Sequence, residues 1–186
     1  MPELVIRDAR PADREAISEV TLAAYREYAD RMPELWTRYR QNILTTLADV
    51  TPAEQLVAER DRAVVGTVLL YPARGDADRV TAAWHAHWPE VRLLAVLPTA
   101  RGLGVGRALM EECARRAHRS GAGALALHTT DLMQAAIRLY EGMGFARAPE
   151  LDFTPAPGFT VKGYRLDVSA CPPTGAEHRV HPRPPA

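Results

Sequence analysis

The chain has almost no lysine. Lys162 stands alone, and the other basic residues are arginines scattered along the 186 positions, 23 basic residues against 23 acidic ones. With a formal net charge of zero, no strongly basic surface is available to follow a nucleic-acid backbone or an anionic membrane, and neither is an expected partner. Cysteine is nearly as scarce. Cys113 falls in a helix-like segment and Cys171 in a proline-rich one, which suits neither a disulfide framework nor a metal cluster and fits a reducing, cytoplasmic setting. Long apolar runs are also missing: nowhere do about 18 apolar residues follow one another, as a membrane helix would need. The first residues, Met1 to Arg7, lack the basic and apolar regions of a secretion signal. A soluble, unexported protein is expected, with one sizeable core rather than two.

What is present is concentrated between Glu90 and Arg107. An apolar run ends at Pro98, and glycines at 102, 104 and 106 then open an amphipathic segment from Val105 to His118, a strand, loop and helix in that order. Glycine lets the backbone come close to a ligand, and the unpaired N–H groups of a helix start favour an anion, most simply phosphate. The surrounding pattern is regular. Leu4 to Arg7 is a β-rich run, and Ile17, Val20, Ala24 and Tyr28 then recur at helical spacing. Leu35, Tyr39, Ile43 and Leu47 mark a second helix, stopped at Thr51-Pro52. Gln55 to Glu59 and Ala63 to Tyr71 flank a short turn as an antiparallel hairpin.

Pro72 to Pro89 is long for a connection. It carries Trp84, His85, His87 and Trp88, but no further ligand stands nearby to make the His-x-His pair a metal site, so no metal is expected. Aromatic packing over a cleft and substrate contact both remain open for this loop. Ala124 to Thr130 reads as a buried strand parallel to the one before it, because a helix joins them. Asp131 is placed to cap a helix whose Met133, Ala136, Ile137 and Tyr140 share a face, ended by Gly142 and Gly144. Phe145 to Arg147 and Phe159 to Val168 are further strands across a Pro149 to Gly158 loop. The expected fold is α/β: a mixed, mostly antiparallel central sheet with a parallel βαβ unit at its centre and helices on both faces. Residues 1–168 form this single domain, and 169–186 read as a Pro-rich, disordered tail.

The glycine loop fits neither common nucleotide motif. A Walker loop needs Gly-Lys before Ser or Thr, and a dinucleotide fingerprint would need its third glycine where Arg107 or Leu109 stands. Arg101-x-x-Gly104-x-Gly106, five residues after the strand end, instead resembles motif A of the GNAT family of acetyl-coenzyme A-dependent N-acetyltransferases. Ala136 to Phe145, with Leu-Tyr140-Glu-Gly-Met-Gly144-Phe145, resembles that family's other signature at the expected separation. The likeness covers roughly residues 4 to 168.

This resemblance implies acetyl-CoA as cosubstrate. Arg101, Gly102, Leu103, Gly104, Val105, Gly106 and Arg107 would hold its pyrophosphate, and main-chain groups of Leu94, Ala95 and Val96 its pantetheine arm, with the N–H near Val96 stabilising the oxyanion. Tyr140 matches the tyrosine that meets the departing sulfur. With reference pKa values of about 10 for tyrosine and about 8.5 for a thiol, complete proton transfer to the thiolate is uphill by roughly 2 kcal/mol, so a hydrogen bond serves at least as well. Glu90, six residues before Val96, and His128, at the end of the next strand, compete as the base that deprotonates the amine. One position departs from the pattern. Met133 replaces an asparagine that helps to hold the pantetheine arm, and Gln134 or Asp131 would have to substitute. The acceptor, a small-molecule or peptide amine, would lie near Tyr25, Tyr28, Trp36, Tyr39 and Trp84. A homodimer is allowed by this plan. The competing expectation is a CoA-binding module of regulatory or interaction type, without turnover.

Overall fold

The computed structural model describes residues 3–73, 87–156, 158–170 and 179–180. Its strands are β1 (Leu4–Asp8), β2 (Glu54–Arg60), β3 (Ala63–Tyr71), β4 (Glu90–Val96), β5 (Ala124–Thr129), β6 (Ala146–Arg147), β7 (Phe153–Ala156), β8 (Phe159–Asp167) and β9 (Arg179–Val180). The helices are α1 (Arg14–Tyr25), α2 (Pro33–Ala48), α3 (Val105–Arg119) and α4 (Gln134–Glu141). Among the described residues the chain gathers into two compact units. One holds the chain up to Leu69, Leu93–Glu112 and β9, and the other holds Leu70–Arg92 and the chain from Cys113 onward.

In the first unit the strand order is β4-β3-β2-β1-β9. β1 runs antiparallel to β2, from Leu4 opposite Arg60 to Asp8 opposite Leu56, and parallel to β9 through Val5 and Ile6. Asp61 and Arg62, both at positive φ, make the two-residue turn between β2 and β3 that right-handed strand twist favours. Leu56, Val57 and Ala58 are all fully buried, so β2 is covered on both faces and reads as a continuous apolar run rather than an alternating one. The apolar stripe of α1 is buried through Ile17, Val20 and Ala24. Burial of each large aliphatic side chain stabilises the fold by about 1.5–3 kcal/mol relative to exposure. Arg7 is buried too, and is matched by Asp13 at 2.6 Å and Glu59 at 2.6 Å.

In the second unit the order is β6-β8-β5-β4, with β7 on β8. β5 pairs in parallel with β4 at Glu90 and Val91 and antiparallel with β8 along its length. Antiparallel pairs predominate, as expected, around a parallel β4–β5 pair joined through α3. Three segments differ from the sequence pattern. The Pro149 to Gly158 stretch contains β7, whose register with β8 is irregular between Phe153 and Ala156, with Pro155 inside it. Asp131 does not cap α4: Met133 occupies the N-cap position with no side-chain cap bond. Within the segment read as a disordered tail, Arg179–Val180 add to the edge of β1.

Candidate functional site

The glycine loop is built from the end of β4 upward. The Leu97 N–H donates to the Val65 carbonyl at 2.9 Å, a short turn over Pro98–Ala100 follows, and Gly104 accepts from the Ala108 N–H at 3.0 Å to open α3. Gly102 and Gly104 have φ of 76° and 78°, a left-handed conformation costly for residues with a Cβ. A Cβ built on either would meet nothing within 4 Å, so the backbone there faces open space. The first N–H groups of α3 lack partners within the helix and lie at its positive end. Gly66 on β3 sets how closely α3 approaches. A Cβ there would lie 2.8 Å from Val105 Cγ1, 3.1 Å from Leu109 Cδ1 and 3.2 Å from the Ala95 carbonyl, a dependence the motif does not reveal.

β4 is interrupted at Leu93, which has φ of 49°. A leucine in this region costs on the order of 1–2 kcal/mol, and the distortion falls just after the residues that pair with β5 and just before Leu94, Ala95 and Val96. The Leu94 carbonyl accepts from the Tyr25 hydroxyl at 3.3 Å. Tyr25 belongs to an aromatic cluster on α1, α2 and the short turn that follows α1, with ring centroids 6.0 Å from Tyr28 and 5.9 Å from Tyr39, and with Trp36 6.4 Å from Tyr39. Four of the five expected acceptor residues, Tyr25, Tyr28, Trp36 and Tyr39, are therefore brought together. Trp84, like His85, lies outside the described residues. Burial, then the neighbouring Glu27 charge, pushes the Tyr28 phenol up to about 12; burial raises Tyr39 further.

Arg101 turns its side chain toward the end of α1. Its Nη1 and Nη2 donate to the two carboxylate oxygens of Glu27 at 2.9 and 3.0 Å, and Nη2 also to the Ala24 carbonyl at 3.2 Å. The Glu27 carboxyl is held below the usual range chiefly by this hydrogen bond.

In the second unit Glu90 and His128 meet. Nδ1 of His128 lies 2.8 Å from Glu90 Oε1, and Nε2 lies 3.0 Å from the Leu151 carbonyl oxygen. Both groups are largely buried, and Phe153 packs its ring edge against the imidazole with centroids 5.4 Å apart. A carbonyl only accepts, so the hydrogen bond to Leu151 places a hydrogen on Nε2. Arg92, two residues along β4, donates Nε to Glu90 Oε2 at 2.9 Å and lies over the Tyr71 ring, 4.8 Å from its centroid. The Leu151 carbonyl reaches His128 because Gly163, opposite His128 in the β5–β8 register, leaves room for the Pro149–Leu151 turn. A Cβ on Gly163 would overlap Leu151 and stand 2.9 Å from the Ala148 carbonyl. The spacing of Glu90 and Arg92 on one strand face was available in the sequence; the Gly163 and Leu151 contributions were not.

Tyr140 is buried near the end of α4, its ring 5.8 Å from Phe145. The helix stops in a glycine-dependent cap: the Phe145 N–H donates to the Tyr140 carbonyl and the Gly144 N–H to that of Glu141, each at 3.0 Å, with Gly144 at φ of 91°. This explains the Gly144-Phe145 pair after Tyr140. At the other end of α4, Gln134 Nε2 donates to the Asp131 carbonyl at 2.8 Å and Asp131 Oδ1 meets Lys162 Nζ at 2.5 Å, so both proposed substitutes for an amide at Met133 are engaged locally. Among the described residues no three His, Cys, Asp or Glu side chains gather as a metal site.

With this geometry in place, comparison with known proteins is direct. Residues 21–145 match the model of the acetyltransferase (GNAT) family, and the chain belongs to that family. It is 36% identical over 92 residues to a streptothricin acetyltransferase of Streptomyces lavendulae, a match covering 48% of this chain and 49% of that protein. The chain thus spans about half the length of the curated relative it matches. The fold is similar to that of a GNAT-family acetyltransferase of Staphylococcus aureus Mu50, with a TM-score of 0.63 at 15% identity over 89% of this chain and 99% of that one. It is also similar to one of Brucella melitensis in complex with acetyl-CoA, with a TM-score of 0.55 at 24% identity over 93% of each chain. No helix among the described residues is long and apolar enough to cross a membrane.

Proposed function

We propose that the protein is an acetyl-CoA-dependent N-acetyltransferase that passes an acetyl group directly to a primary amine within a ternary complex. The observation that carries this reading is the glycine loop, whose Gly102 and Gly104 backbone is open to space at the N-terminus of α3. That arrangement fits a pyrophosphate by charge and by shape. Main-chain groups of Leu94–Val96, released by the break at Leu93, receive the pantetheine arm, and the N–H near Val96 stabilises the tetrahedral oxyanion. In other acyl-transfer enzymes such a donor is worth roughly 3–4 kcal/mol.

Glu90 takes the proton of the attacking amine, directly or through one water. The carboxylate is fixed between two partners, with Oε1 2.8 Å from His128 Nδ1 and Oε2 meeting both Nε and Nη2 of Arg92 at 2.9 and 2.8 Å. In this reading His128, 2.8 Å from Glu90 Oε1, holds the carboxylate in place rather than acting as the base itself. Tyr140 hydrogen-bonds the departing thiolate. The Tyr25–Tyr28–Trp36 cluster lines the acceptor side, and the relative named for streptothricin supports a small-molecule amine there. The setting is cytoplasmic, and a homodimer is compatible with the reading. Thiol release from acetyl-CoA in the presence of a panel of amines tests it. Acetyl-CoA binding with no release from any amine would favour the alternative, a non-catalytic CoA-binding module.

A further inference from the structure

We infer that Arg101 and Glu27 are positioning residues that fasten the glycine loop to the end of α1, and that Arg101 does not itself bind phosphate. The inference rests on the proposal that this loop holds acetyl-CoA. A loop whose glycines touch nothing on their open side needs to be held from elsewhere. Arg101 supplies the hold: two N–H groups meet both Glu27 oxygens, and a further hydrogen bond reaches the Ala24 carbonyl. This side chain stands immediately before Gly102, so its direction fixes where the left-handed turn begins. The bidentate fork has strict geometry, and its carbonyl contact adds a third point. Glu27 directly precedes Tyr28, whose ring belongs to the cluster with Tyr25. Tyr25 in turn donates to the Leu94 carbonyl. The loop and the strand edge proposed to hold the two ends of acetyl-CoA are thus anchored on one aromatic cluster.

The sign of one substitution separates a clasp from a phosphate ligand. If Arg101 bound phosphate, Glu27→Gln would free its guanidinium and remove a negative charge from the neighbourhood, and acetyl-CoA would bind more tightly. If Arg101 is a clasp, the same change loosens the loop. Calorimetric titration of acetyl-CoA into the full chain should then show about fivefold weaker binding, the fold-change expected for losing a partly exposed bidentate pair. The KM for acetyl-CoA should rise by the same factor, with kcat little changed. The swapped pair Glu27→Arg with Arg101→Glu should recover most of the loss, since the ion pair is re-formed. Unchanged or tighter binding in Glu27→Gln, or a swap weaker than either single variant, overturns the inference while leaving the acetyltransferase reading intact. A wild-type chain that binds no acetyl-CoA overturns both.

Discussion

Replacing Glu90 by Gln removes the proposed proton acceptor with little change in volume, and the expected consequence follows from the site geometry. An amine of pKa about 10 is roughly 0.3% unprotonated at pH 7.5, so the reaction depends on a group that removes its proton. A positioned general base contributes about 10²–10⁴ in rate, or roughly 3–5 kcal/mol of barrier. Glutamine still fills the space between His128 and Arg92, but its neutral amide gives up the ion pair with Arg92, so part of the local stabilisation is lost as well. The expected result is a fall in kcat/KM for the amine of about 10²–10³ at neutral pH, with the KM for acetyl-CoA within about twofold of wild type. The residual rate should climb with pH by about tenfold per unit until the amine itself titrates. His128→Gln, which keeps one donor toward Glu90, should lose only about tenfold. Steady-state thiol release across pH 6–10 (about four units, chosen to span the amine titration) reads all of these. A Glu90→Gln enzyme within about threefold of wild type, with the same pH profile, would refute Glu90 as the base; a larger loss in His128→Gln than in Glu90→Gln would reverse the two roles.

Two further perturbations test the scaffold. Gly144→Ala places a Cβ at φ of 91° in the cap that fixes the end of α4, costing about 1–2 kcal/mol; thermal denaturation should fall by roughly 4 °C, and kcat should drop more than acetyl-CoA affinity as Tyr140 shifts. Asp13 is held below the ordinary carboxylate range, first by its hydrogen bond to Arg7. Its stabilisation is complete above the unfolded value of about 3.9 and is lost as pH falls through the lower folded value. Asp13→Asn should therefore cost about 2 kcal/mol at pH 7 and flatten the loss of stability below about pH 4 in acid-unfolding curves. An unchanged acid limb would show that the Arg7 pair does not set it.

The elements legible in the sequence are those whose signals are local. Ile17, Val20 and Ala24 mark the buried face of α1 by spacing alone, Asp61-Arg62 sits where a hairpin must turn, and the Gly102–Gly106 run announces a helix start. β7 is hidden because Pro155 and its flanking residues read as loop, and β9 because two residues carry no period. Asp131 is a good capping residue by type, yet its side chain goes to Lys162, a partner 31 positions away. The same limit governs the site. Tyr140, Glu90 and His128 can be proposed from pattern, but the Arg101–Glu27 pair spans 74 positions, and the role of Gly163 exists only because the Pro149–Leu151 turn crosses it. Tertiary contacts of this kind leave no periodic trace.

The central claim is that the glycine loop and Tyr140 serve acetyl transfer to an amine. The most direct measurement is thiol release from acetyl-CoA with a panel of small-molecule and peptide amines, run beside acetyl-CoA titration for wild type and Tyr140→Phe. The account predicts amine-dependent release by wild type, and in Tyr140→Phe a loss of at least about tenfold in kcat with acetyl-CoA binding retained. Tight acetyl-CoA binding by wild type with no amine-dependent release would contradict it.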